Sequence, residues 1–184
     1  MARDLQVEDE PVRIVPYDAS WPARFEAEET LLRGAIGGWV TGGIHHVGST
    51  AVPGLAAKPV IDILVGVRDL PSSRACFGEL AKLGYRYAPY RAEEMHWFCK
   101  PNPSHRTHHL HLVPTGSPRY QSELAFREIL RSRSDIADEY AALKRALAGQ
   151  YEHDREGYTK VKAAFVAKLV RESALGAAAT GGRV

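Results

Sequence analysis

The chain has 184 residues, a formal net charge of +2, and 45% hydrophobic and 25% charged residues. A single domain of this length buries roughly 70% of the surface that its unfolded chain exposes, and near-neutral charge without a basic block argues against nucleic acid as a partner. No apolar run reaches membrane-spanning length, the first ten residues are too acidic and polar for a signal peptide, and Cys76 and Cys99 lack metal-motif spacing, so a cytoplasmic protein with reduced thiols and no membrane partner is expected.

Residues 1–10 are polar and read as a flexible N-terminus. Residues 12–17 alternate and form an extended arm, with Pro16 restricting it to a sheet edge. Asp18 or Ser20 caps a helix that Trp21-Pro22 opens and Gly37-Gly38 closes. Residues 44–47 predict the first core strand, broken at Gly48. A glycine-proline loop follows, with one helical turn over 55–57. Residues 60–67 are too apolar for a one-sided strand, which places them centrally with both faces covered. A helix starting at Asp69 to Ser72 runs to Gly84, and residues 85–89 form a strand. Residues 95–100 and 107–113 pair as a hairpin through Pro101-Asn102-Pro103-Ser104. Three helices close the chain: 118–131, 134–148 and 154–172, the last with Tyr158, Val161, Phe165, Leu169 and Val170 as its apolar face. A flexible tail is expected over 176–184. The sum is one α+β unit over 11–175: a mixed sheet with helices packed on it and a C-terminal helical segment.

The chemistry concentrates in two stretches. The first is His46-Val47-Gly48-Ser49-Thr50, which leads through Lys58 into Val60-Ile61-Asp62-Ile63. An acid inside so apolar a strand is costly to bury unless it is paired, hydrogen-bonded or metal-bound. Asp62 is therefore a candidate metal ligand and catalytic residue, and against this stands a buried acid satisfied by backbone or by a histidine. Gly48, Ser49 and Thr50 offer backbone and hydroxyl partners for phosphate. Lys58 offers a cation, as do Arg106 at the entry of the second stretch and Lys160 on the last helix. The second stretch is Thr107-His108-His109-Leu110-His111. Alternate residues of a strand share a face, so His109 and His111 point together while His108 goes with Leu110 and Leu112. Two imidazoles at i and i+2 suit one metal, and His46 adds a third nearby. The plain alternative is a half-exposed strand rich in histidine.

Residues 46–62, read as His46-Val47-Gly48-Ser49-Thr50-Ala51-Val52-Pro53-Gly54-Leu55-Ala56-Ala57-Lys58-Pro59-Val60-Ile61-Asp62, closely resemble the signature of the GrpB-like family. That family also occurs as a C-terminal extension of some dephospho-CoA kinases. Val15-Pro16-Tyr17-Asp18, the histidine strand, Tyr140-Ala141-Ala142-Leu143-Lys144 and Tyr158-Thr159-Lys160 agree with it, so the resemblance spans residues 11–173. It implies the polymerase-β-type nucleotidyltransferase fold. In that superfamily a Gly-Ser turn grips the triphosphate, and a D-x-D pair with a third, later acid holds two divalent metals. Gly48-Ser49 and Asp62 match. The second acid falls at Leu64, and the later strand offers His109 and His111 instead. His45 stands where many members have Glu.

Three functions are expected from this set. The first is a metal-dependent nucleotidyltransferase using Mg2+, Mn2+ or Zn2+ on Asp62, His109, His111 and His46, with a nucleoside triphosphate on Gly48, Ser49, Thr50, Lys58, Arg106 and Lys160, and a small-molecule or protein acceptor. The second is a degenerate module that binds a nucleotide or a CoA-related ligand without turnover. The third is a metal-dependent phosphohydrolase.

Overall fold

The computed structural model describes residues 11–180. Asp18 accepts from the Ser20 N–H, and helix α1 (Trp21–Ile36) opens with Pro22 in its first turn, where a missing N–H is harmless. Five strands follow: β1 (Val40–Val47), β2 (Ile61–Val67), β3 (Arg86–Tyr87), β4 (His96–Pro101) and β5 (Arg106–Pro114). They lie in the order β1-β2-β5-β4-β3. β2 pairs antiparallel with β1 and parallel with β5, and β4 pairs antiparallel with β5 and with β3. The sheet is therefore mixed, as expected.

Both faces are covered. On one, α1 lays Trp21, Leu32 and Ile36 over Ile61, Ile63, Val65, Leu110 and Leu112. On the other, Val47, Leu64, Met95 and Val113 pack with Tyr120 and Leu124 of α4 (Pro118–Ser132). Every residue of β2 except Asp62 is buried, which is the pattern of a strand covered on both sides. Helices α5 (Ser134–Gln150) and α6 (Arg155–Thr180) stack behind α4 around Val52, Leu55, Phe126, Leu130 and Tyr140.

Several boundaries differ from expectation. β1 starts at Val40 because a bulge between Val40 and Ile44 lets it continue. The single helical turn in the loop is a 3₁₀ turn at Ser49–Ala51, not at 55–57. The expected helix over 69–84 is broken into α2 (Leu70–Ser73), a 3₁₀ turn and α3 (Phe77–Lys82), with Asp69 capping α2 through the Ser72 N–H at 2.7 Å. The strand expected over 85–89 keeps only two residues. On α6, Val161 is 38% exposed, and the apolar face runs through Phe165, Val166, Leu169 and Val170 instead. The position one turn after Tyr158 on its own side falls to Lys162, not Val161. α6 also continues to Thr180, into the segment read as a tail. The flexible segment expected over 1–10 and the last four residues lie outside the described residues.

One buried polar network ties α1 to the sheet. Glu28 is 5% exposed and accepts from the Tyr85 hydroxyl at 2.9 Å and from Lys100 Nζ at 2.6 Å. Burial and the adjacent Glu28 charge push the Tyr85 phenol far above its usual range, so it stays a donor. Breaking a buried pair on one side leaves the other charge stranded. Glu28→Gln is therefore expected to lower stability by roughly 3 kcal/mol in urea unfolding, with a wild-type-like value counting against the network's role.

Candidate functional site

The site forms where the ends of β1 and β2 meet β5. The sequence folds this way locally because Gly48 turns the chain with φ +70°, a conformation that side chains with a Cβ rarely adopt. The turn is pinned from behind. Thr50 donates its hydroxyl to the Val60 carbonyl at 3.1 Å and accepts from His46 Nε2 at 3.0 Å. The His46 ring stacks on Phe25 of α1, 4.8 Å between centroids. His46 pairs with Ile63 in the ladder, and both belong to the α1 face. His46 thus lies across the sheet from Asp62, and with Thr50 it fastens the turn instead of facing a ligand.

Asp62 pairs with His109 across the parallel β2–β5 ladder. Its Oδ1 accepts from His109 Nδ1 at 2.8 Å, and its side chain is 29% exposed. The other carboxylate oxygen lies under Gly48, where an added Cβ would meet it at 2.4 Å. Burial by itself raises the Asp62 pKa. The His109 hydrogen bond, with nearby positive charge such as that of Lys162, outweighs that and holds the carboxyl well below its usual range. Burial lowers the His109 pKa despite Asp62, so the ring is neutral and donates from Nδ1. Its Nε2 lone pair is buried and has no hydrogen-bond partner. A buried polar atom left unsatisfied is rare and calls for an explanation.

His111, two residues on, shares that face. Its Nδ1 lies 3.1 Å from Glu123 of α4, which Arg119 also holds at 2.9 Å. Burial raises the Glu123 pKa, and His111 and Arg119 together bring it below the ordinary value. Two parallel carboxylate–imidazole pairs therefore stand side by side, both bonded through Nδ1.

Behind them the helices supply hydroxyls and cations. Ser49 is the side-chain hydrogen-bonding partner of the Tyr140 phenol. Lys58 lies 5.0 Å from the centroid of the Tyr158 ring, and Lys162 lies 5.6 Å from the same centroid. Lys144 is 2% exposed, donates to the Ala56 carbonyl and sits 4.8 Å from the Tyr140 ring centre. Burial, then the neighbouring Lys162 and Arg145 charges, bring the Lys144 pKa down to about 7, against a weaker pull from Asp62.

The structure thus brings Gly48, Ser49, Asp62, His109 and Lys58 together. Arg106 sits at the cleft outside His109, stacked over Trp97 at 5.2 Å. Lys160 is exposed on α6, and Lys162, 200° further round that helix, faces the site in its place. Glu123, Tyr140, Lys144 and Lys162 were not singled out from sequence as site residues. Tyr140 and Lys144 lie inside a stretch that matched a family pattern, and Lys162 was hidden by the assignment of Val161 to the apolar face.

These donors are not gathered into the metal centre expected from the sequence. Asp62–His109 and His111–Glu123 are two separate pairs, His46 faces away, and Leu64 is sealed among Val47, Met95 and Val113. Among the described residues no three His, Cys, Asp or Glu side chains are gathered to hold a metal ion. What the arrangement offers is an oriented base beside a cluster of cations.

The GrpB protein family model matches residues 11–172. A UPF0157 protein of Pseudomonas aeruginosa is 39% identical over 169 residues, covering 89% of this chain and 68% of its own length. The Glutamate-rich protein GrpB of Alkalihalophilus pseudofirmus is 33% identical over 173 residues, with 91% of this chain and 99% of that protein aligned. A dephospho-CoA kinase of Mycolicibacterium paratuberculosis is 30% identical over 183 residues, 85% of this chain but 44% of that enzyme. The crystal structure of the conserved protein GrpB from Enterococcus faecalis superposes with a TM-score of 0.78 at 32% identity, covering 87% of this chain and 96% of that one.

Two predictions follow from the geometry. Gly48→Ala forces a Cβ into the Asp62 carboxylate at a positive φ, so it should cost about 1–3 kcal/mol of stability and alter the His109 imidazole signal in NMR; an unchanged signal would contradict the close approach. His46 and His108 are both brought down to about 4, first by burial. Their folded pKa values lie below the unfolded value near 6.5, so the unfolded chain takes up protons first as pH falls. Stability is then full above about pH 6.5 and declines from there towards pH 4. His108→Gln should flatten that slope in urea midpoints measured from pH 7 to 4.5, and an equally steep slope would refute the assignment.

Proposed function

Because the chain belongs to the GrpB family, we propose that it binds a nucleoside triphosphate beside the Gly48-Ser49 turn and transfers the nucleotidyl group to an acceptor hydroxyl, with His109 as general base. The observation that carries this reading is the buried, unpartnered His109 Nε2, whose ring Asp62 holds from the other side. A neutral imidazole fixed by a carboxylate is the usual form of a positioned base.

In this reading the acceptor O–H gives its proton to His109 Nε2, and Asp62 stabilises the imidazolium that forms. The acceptor oxygen bonds to the α-phosphorus while the bond to the bridging oxygen breaks, and pyrophosphate leaves with that electron pair. Ser49 and the Gly48 backbone hold phosphate oxygens. Lys58, Lys144 and Lys162 neutralise charge on the leaving group, the electrostatic share of the catalysis. No step is assigned to a metal ion, because the donor set does not fit one.

The direct test uses labelled nucleoside triphosphates with a metabolite pool. His109→Ala is expected to lower transfer by roughly 10²–10⁴-fold and Asp62→Asn to lower it substantially, while calorimetry shows nucleotide binding retained in both. Transfer that survives His109→Ala would sink the assignment. The rate should climb as His109 loses its proton, below the ordinary histidine range, and fall as Lys144 loses its charge at about 7.

A second reading is favoured by Leu64, which stands in an apolar cluster at the place where the superfamily that the sequence resembles carries its second acid. The same turn and lysines then bind a nucleotide or a CoA-related ligand without turnover. Saturable binding with no product under any acceptor would select it.

A further inference from the structure

We propose that the cleft between the N-terminal arm, the turn at residues 58–60 and the β4–β5 hairpin is the acceptor subsite, and that the acceptor is a small hydroxyl-bearing anion, a carboxylate or a phosphate monoester. This rests on the reading of His109 as the base. The cleft has a volume of about 430 Å³, within the range of small-molecule sites. Arg13, Lys58, His105, Arg106, Thr107 and His109 are among the residues that line it. Among the described residues no Asp or Glu lines it.

The cations are placed rather than scattered. Arg106 is set over Trp97, 5.2 Å from its centroid, and its Nε donates to the Pro103 carbonyl at 2.6 Å. The same Trp97 ring lies 5.1 Å from the His109 ring. One indole therefore spaces a fixed guanidinium from the proposed base. A planar guanidinium favours carboxylate and phosphate oxygens in bidentate geometry. Lys58 belongs to both places, lining this cleft and lying over Tyr158 in the lysine cluster. An anion seated on Arg13 and Arg106 would bring a hydroxyl towards His109, which lines the same cleft. The orphaned lone pair then acquires its donor from the ligand. Cationic acceptors are disfavoured by the same charges, and neutral ones gain nothing from them.

The test follows the His109 imidazole by NMR in the full chain while inorganic phosphate, malate or glycerol is added. Phosphate and malate are expected to shift the signal saturably, and glycerol is expected not to. The double substitution Arg13→Gln with Arg106→Gln should weaken both anions at least tenfold. Arg13→Gln alone, on the exposed arm, should weaken them in part, and Lys168→Met, on the exposed side of α6, should leave them unchanged. No saturable shift in the wild type overturns the proposal. So does equal affinity in the double variant, or a loss seen with Lys168→Met in its place. Nucleotide binding is measured on the same proteins by calorimetry. Its retention in the double variant, with anion binding lost, supports two separate subsites. Anion binding in a wild-type protein that binds no nucleotide removes the transfer reading and the acceptor role with it.

Discussion

The hydrogen bond from His109 to Asp62 is the interaction on which the rest of this structure turns. A carboxylate in the centre of a covered sheet is destabilising by itself. Here it stays ionised because an imidazole on the adjacent parallel strand donates to it. That pairing requires β2 and β5 to be neighbours in one register, which in turn requires the chain between them to cross over and return. It also requires Gly48, since any side chain there would strike the carboxylate. Turn, strand order and buried charge are thus one constraint seen from three sides.

The two faces of the sheet divide the labour. On the α1 face Trp21 Nε1 has no partner, but two polar groups are tied: Glu28 with Tyr85 and Lys100, and His46 with Thr50. These are structural ties. On the α4 face, His109 Nε2 and the Arg119 Nε have no partner, although both are buried. Of these atoms, His109 Nε2 belongs to a residue that both pairs with Asp62 and lines the cleft.

Much of this was legible in the sequence. The alternation of His109 and His111 with Leu110 and Leu112 placed both imidazoles on the face opposite the α1 core. The uninterrupted apolar run around Asp62 marked β2 as central. The small residues after His46 marked the turn. Other residues failed for a physical reason. His46 stands one residue before Val47, which pairs with Asp62, and a shift of one residue reverses the face. No local pattern supplies that register. Glu123, Tyr140, Lys144 and Lys162 lie 60 to 100 positions from Asp62 on separate helices. Only tertiary packing brings them to it. Buried lysines such as Lys144 read from sequence as ordinary solvated ones.

The crossover between β2 and β5 also governs when this site can exist. Asp62 and His109 are 47 residues apart in the chain, and a parallel pairing of that separation carries a larger loop-closure cost than a local contact. Until it forms, the carboxylate and the imidazole are two independent, hydrated groups with ordinary acidities. The oriented base is thus a property of the finished sheet alone. A chain that has folded its helices and hairpin but not joined β2 to β5 lacks the Asp62–His109 hydrogen bond, and the protonation state of one histidine becomes a readout of complete folding.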